Sequence, residues 1–251
     1  ILRGNVGKFI LQNTKRISFD NGCYWNYDHL SIQDIKNYFN IDLFDFDEIV
    51  VNHVVAIINK QSFLNTGLLN LGSLARVTDN DFSNFLQHFN ILFKVDSNGN
   101  PFFEFNGRKI TSDYVQNRLT KDQCINGFLF GYSCFLDRNV SDIRECPEII
   151  SHIGREIINI PQLKDTWIEK STPSFISFRV NINDIDTSTF NGDLTHKEKK
   201  EFFILKTIEY LLFTHTHYPI EHLMIYLKET VDIPPGQILN INELEQSENY
   251  Y

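Results

Sequence analysis

The 251 residues hold one methionine, two tryptophans, four cysteines and no excess of positive charge. Each scarcity removes a class of protein. Cys23, Cys124, Cys134 and Cys146 form no CxxC pair and no zinc-ligand spacing. Four such cysteines in a chain this long point to reduced thiols in a cytosolic setting and away from a disulfide scaffold. With 32 acidic against 23 basic residues the formal charge is -9. That balance disfavours a general nucleic-acid binder, whose phosphate-facing surface is basic. No apolar run is long enough to cross a bilayer, because Asn, Lys or Asp interrupts the longest ones. No internal repeat and no low-complexity linker divides the chain. Its first residue is Ile, no signal peptide is recognisable there, and it reads as a piece of a longer protein.

What the chain has in quantity is aromatic: 22 Phe and 10 Tyr, which call for a packed interior. Hydrophobic spacing then assigns the elements. Residues 45–63 read as a helix, with Ile49, Val50, His53, Val54, Ile57 and Ile58 spaced for burial and His53 as a satisfied core histidine. From Ile91 the period switches to two. Residues 91–105 form a β-hairpin with Asn98-Gly99 at its turn. A short helix follows Ser112. Residues 121–136 read as a helix whose Gly127 and Gly131 open a groove for close packing. Further helices run from Pro147 to about Ile157 and from Pro161 to Lys170.

The last third carries the strongest local signals. Residues 175–182 alternate as a strand, with Ser177, Arg179 and Asn181 on the face opposite Phe178, Val180 and Ile182. Thr195-His196-Lys197-Glu198 is a capping box opening an amphipathic helix with Phe202, Phe203, Leu205 and Ile208 at helical spacing. Pro219 suits the first turn of a second helix, running to about Thr230. Residues 236–251 form an acidic tail with a short strand near 237–241. The expected fold is α+β and predominantly helical. It has a hairpin at about 91–105 and a strand near 174–182 packed on a C-terminal helical hairpin. Residues 1–160 are a mainly helical region, 161–235 the catalytic segment and 236–251 the tail, in one compact unit.

On that second helix, His217-x-x-x-Glu221 returns an imidazole and a carboxylate to one face. The acid can fix the ring's tautomer and steady it for proton transfer. Upstream, Ser171, Ser174 and Ser177 offer hydroxyls where the strand begins. Serine followed by HxxxE resembles the S-HxxxE motif of LnaB-type bacterial effectors, with His217, Glu221 and, first among the three serines, Ser174 at the matching positions. That resemblance implies a secreted effector acting in the host cytosol. It would move AMP from ATP onto a phosphoryl group of a host protein, such as phosphoribosylated ubiquitin, with host actin as activator. Arg179 and Lys170 are the nearest cations for the phosphates, Mg²⁺ is a further phosphate partner, and no acidic metal site stands out.

Three rivals remain open. His215, His217, Glu221 and His222 cluster as in a zinc hydrolase, but His217 and His222 sit about 140° apart around a helix and diverge. Ser171-Thr172-Pro173 before a strand, with Glu243-Leu244-Glu245 downstream, is similar to the STS and ExE elements of ADP-ribosyltransferases, although that acidic pair falls in a polar tail without strand character. An acidic, aromatic-rich surface would also suit a non-enzymatic partner of a basic protein.

Overall fold

The structure is a computed structural model. It describes residues 18–20, 24–26, 33, 35, 37, 45–131, 140, 143–157, 160–190, 192–216 and 223–244. The chain divides into two compact units, Ile1–Asp47 with Phe190–Glu221 and Glu48–Thr189 with His222–Tyr251.

In the first unit, β1 (Ser18–Asp20) and β2 (Tyr24–Asn26) pair as an antiparallel ribbon. The second unit begins with β3 (Glu48–Ile57) and continues through α1 (Lys60–Thr66), α2 (Leu71–Leu74) and α3 (Asp81–Gln87). Next come β4 (Ile91–Val95), β5 (Pro101–Phe105), β6 (Arg108–Lys109), α4 (Asp113–Thr120) and β7 (Asn126–Phe128). Then follow α5 (Glu148–His152), α6 (Gln162–Lys170) and β8 (Thr172–Asn181). The first unit resumes with α7 (His196–Thr216), and β9 (Met224–Tyr226) and β10 (Ile238–Glu243) complete the second.

The fold is α+β, but it is not predominantly helical. A five-stranded antiparallel sheet, ordered β10-β8-β3-β7-β9, and a three-stranded sheet β4-β5-β6 carry the second unit. The decisive correction is β3, expected as a helix. Glu48 to Ile57 is a ten-residue strand paired along its whole length with β8. From Val51 to Ile57 buried and half-buried positions fall on both of its faces, so the residues satisfy helical and strand periods alike. The Val and Ile content favours the pleated surface. The segment expected as a helix over 121–136 likewise holds β7. The C-terminal helical hairpin is corrected too: Met224–Tyr226 is a strand on β7. The tail strand is tied down as well, since β10 pairs with β8 and the Leu244 N–H donates to the Pro173 carbonyl.

The hairpin at 91–105 stands as expected, with Gly99 at φ 83° in its turn. Its inner face joins α3 to α6 in one aromatic core, where Phe93 stacks on Phe103 at 4.4 Å and Phe85 meets Trp167 edge-on at 4.8 Å. In the first unit the capping box forms as read. Glu198 accepts from the Thr195 N–H and hydroxyl, and the Glu198 N–H reaches back to Thr195 Oγ1. The buried side of α7 differs from the expected one: Phe203, Ile204 and Ile208 are buried, whereas Leu205 is exposed. Asp47 accepts from Lys200 Nζ at 2.7 Å and His196 Nε2 at 3.0 Å, and Lys200 foremost holds its carboxyl below the usual carboxylate range.

Candidate functional site

Strand β8 sorts two of the three candidate serines, Ser174 and Ser177, by face. Ser174, Ile176, Phe178 and Val180 are buried on one face. Phe175, Ser177 and Arg179 alternate onto the other, which is half-buried to exposed. Ser174 is 2% exposed and its hydroxyl donates to the Thr172 carbonyl two residues back. It lies between Val55 and Glu243 on the flanking strands, a satisfied internal hydroxyl. Ser177 instead donates to Asn52 Oδ1 at 2.9 Å, directly across on β3. Asn52 Nδ2 donates in turn to the carbonyls of Phe128 and Leu129. The Leu129 N–H then donates to the Leu223 carbonyl. One polar chain thus runs from the open face of β8 across three strands to Leu223. Ser171, just after α6, has a buried hydroxyl with no hydrogen-bond partner among the described residues.

The expected cations lie at the margins. Arg179 is exposed and 3.7 Å from the Glu48 carboxylate, a solvated pair worth little to stability. Lys170 is an exposed residue in the last turn of α6, where a cation complements the helix dipole. His217, Glu221 and His222 lie outside the described residues. Glu243 is not in an unstructured tail: it ends β10, directly opposite Ser174.

A second feature was not legible in the sequence. The His53–Ala56 end of β3 and the residues entering β7 border a cavity of about 260 Å³. Its wall is largely apolar (Val54, Ala56, Phe63, Leu71, Phe82, Trp167), with a few polar groups among them. His53 is one. Its Nδ1–H donates to the Asn126 carbonyl at 2.7 Å, which leaves Nε2 as an acceptor. Burial pushes its imidazole below the ordinary value of 6.5, against the opposing pull of that hydrogen bond. Cys124 also lines the cavity, but burial and then Asp122 push its thiol up to about 11, so it is no thiolate nucleophile.

A pH dependence follows from His53. Its pKa is depressed in the fold, so the unfolded chain takes up the proton first as the pH falls. The stability contributed by the neutral ring is complete above about 6.5 and is lost as the pH descends toward the folded value. Urea midpoints measured from pH 7.5 down to 5 should decline, and His53→Gln should flatten that slope. Parallel slopes for the two proteins would refute the assignment.

Among the described residues, no group of three or more His, Cys, Asp and Glu side chains could hold a metal ion. No described helix is long and apolar enough to cross a membrane. Set against protein-family models, curated proteins and solved structures, the chain finds no match in any of the three.

Proposed function

We propose that the chain is a bacterial effector that transfers AMP from ATP to a phosphoryl group on a host protein and is activated by host actin. The motif of a serine-bearing strand followed by His217-x-x-x-Glu221 is its sequence support. The observation that favours it is that Ser177 lies on the half-buried to exposed face of β8, its hydroxyl donating to Asn52 Oδ1. In the reaction, an oxygen of the acceptor phosphoryl group bonds to the α-phosphorus of ATP. The α–β bridging P–O bond breaks, and pyrophosphate leaves with the electron pair. His217 takes the proton from the attacking oxygen, and Glu221 holds the ring and stabilises its charged form. Arg179, exchanging its Glu48 contact for phosphate, and Lys170 offset the charge on the leaving group. Ser177, turning its hydroxyl from Asn52 Oδ1, donates to a phosphate oxygen, whereas Ser174 serves the packing of the sheet and not the reaction.

Substituting the serines tests these roles. Ser177→Ala should cut AMP transfer by about tenfold, the worth of a hydrogen bond to a charged group, and should also lower the unfolding midpoint, because buried Asn52 Oδ1 loses its donor. Ser174→Ala should lower the midpoint while folded protein keeps its transfer rate. The reverse pattern would return the reactive hydroxyl to Ser174.

One observation favours a second reading, ADP-ribosyl transfer: Glu243 ends a strand beside the one that Ser171-Thr172-Pro173 opens. Labelled NAD in place of labelled ATP separates the two. Label reaching an acceptor from NAD alone would select the second.

A further inference from the structure

We propose that two copies of the chain associate through β10, laid antiparallel about Ile241, so that the five-stranded sheet continues across a two-fold axis. β10 is an edge strand: β8 pairs with one side of it, and among the described residues nothing pairs with the other. Such an edge presents unmatched N–H and C=O groups, and proteins ordinarily blunt it by shortness, charge or proline. The other edges of the second unit are blunted in this way. β9 and β6 hold three and two residues, and β4 carries Lys94. β10 is six residues long, without lysine, arginine or proline, and its one charge, Glu243, stands at its end. Leu239 is 49% exposed, and Asn240 and Asn242 are exposed beside it.

The ladder with β8 fixes which groups are free. The Leu244 N–H donates to the Pro173 carbonyl, so Leu244 turns its backbone toward β8. Backbone direction alternates along an antiparallel strand, so Asn242 and Asn240 turn the same way, whereas Glu243 and Ile241 turn outward. A bulge at Leu239 ends this regular run. Two antiparallel copies set only residues of like direction opposite each other, which restricts the two-fold to a residue position. At Glu243 it would bring two carboxylates face to face, and at Asn242 it would set an isoleucine against a glutamate. At Asn240 the bulge would fall inside the ladder. At Ile241 the residues match. Ile241, on the buried face with Ile176, meets its own copy and exchanges backbone hydrogen bonds with it both ways. On the open face Asn240 meets Asn242 of the other copy, twice by symmetry, and each amide offers both a donor and an acceptor.

Each copy carries a formal charge of -9 and the contact is one strand wide, so the dimer is weak and tightens with salt. The pairing is independent of the ATP chemistry proposed above. The test is sedimentation of the intact chain over a range of concentrations, in which the wild-type chain should pass from monomer to dimer. Asn240→Lys with Asn242→Lys sets like charges opposite each other across the axis and should raise the dissociation constant by about tenfold or more. Asn240→Lys with Asn242→Glu sets opposite charges there and should bring the constant back to the wild-type value or below it. Both positions are exposed, so neither variant disturbs the core. A chain that stays monomeric as its concentration rises would leave the edge to a strand of another protein and overturn the proposal. So would a dimer indifferent to the paired lysines, or one that the paired opposite charges fail to restore.

Discussion

Gly127→Ala should destabilise the second unit by about 3 kcal/mol, the upper range for overpacking a close-packed interior. A Cβ built on Gly127 falls 2.6 Å from the Asn52 carbonyl oxygen and 2.7 Å from Val51 Cγ1. The nearer obstacle is backbone, and that carbonyl belongs to a strand held on its other side by the full β3–β8 ladder. Relief therefore requires β7 to move away from β3, which breaks the row from Ser177 through Asn52 to Phe128. Gly236→Ala is the control: nothing lies within 4 Å of its Cβ, and the midpoint should stay put. Denaturant unfolding of both variants decides it. Equal midpoints would mean that β7 does not pack on β3 as described.

Gly127 also marks what the sequence could and could not disclose. Close approach was legible from the glycine; the element making it was not, because three residues of strand give too little periodicity to outvote an apolar neighbourhood. The hairpin at 91–105 was legible because Asn98-Gly99 provides the positive φ its turn requires. Strand β8 was legible for a different reason: one of its faces is fully buried and the other is not, so the alternation survives in the residues. Strand β3 lacks that asymmetry. From Val51 to Ile57 nearly every position is covered, and such a run fits either period.

The same contrast runs through the candidate site. Thr195 and Glu198 lie three residues apart and announce their cap locally. The alternation along β8 already turns Ser177 away from the core and Ser174 toward it. The cavity, by contrast, gathers residues from 53–82, 118–126, 143–149 and 167. None of these is informative alone: Asp81 reads as an ordinary first-turn acid and Trp167 as core. Only tertiary packing brings them together.

His217→Ala should lower AMP transfer by about 10²- to 10⁴-fold, the usual contribution of a positioned proton-transfer group. The unfolding midpoint should remain that of the wild-type chain if the ring serves the reaction and not the packing. Glu221→Gln should retain more activity, since an amide can still orient the imidazole while losing the charge that stabilises its protonated form. Both are read in one assay that tests the account most directly. The chain is incubated with actin, a phosphorylated acceptor and ATP labelled at either the α- or the γ-phosphorus. Label from the α position should reach the acceptor only with actin present, far less in His217→Ala and less in Glu221→Gln than in the wild-type protein, and γ label should not reach the acceptor. Transfer of γ label, or α transfer undiminished in His217→Ala, would contradict it.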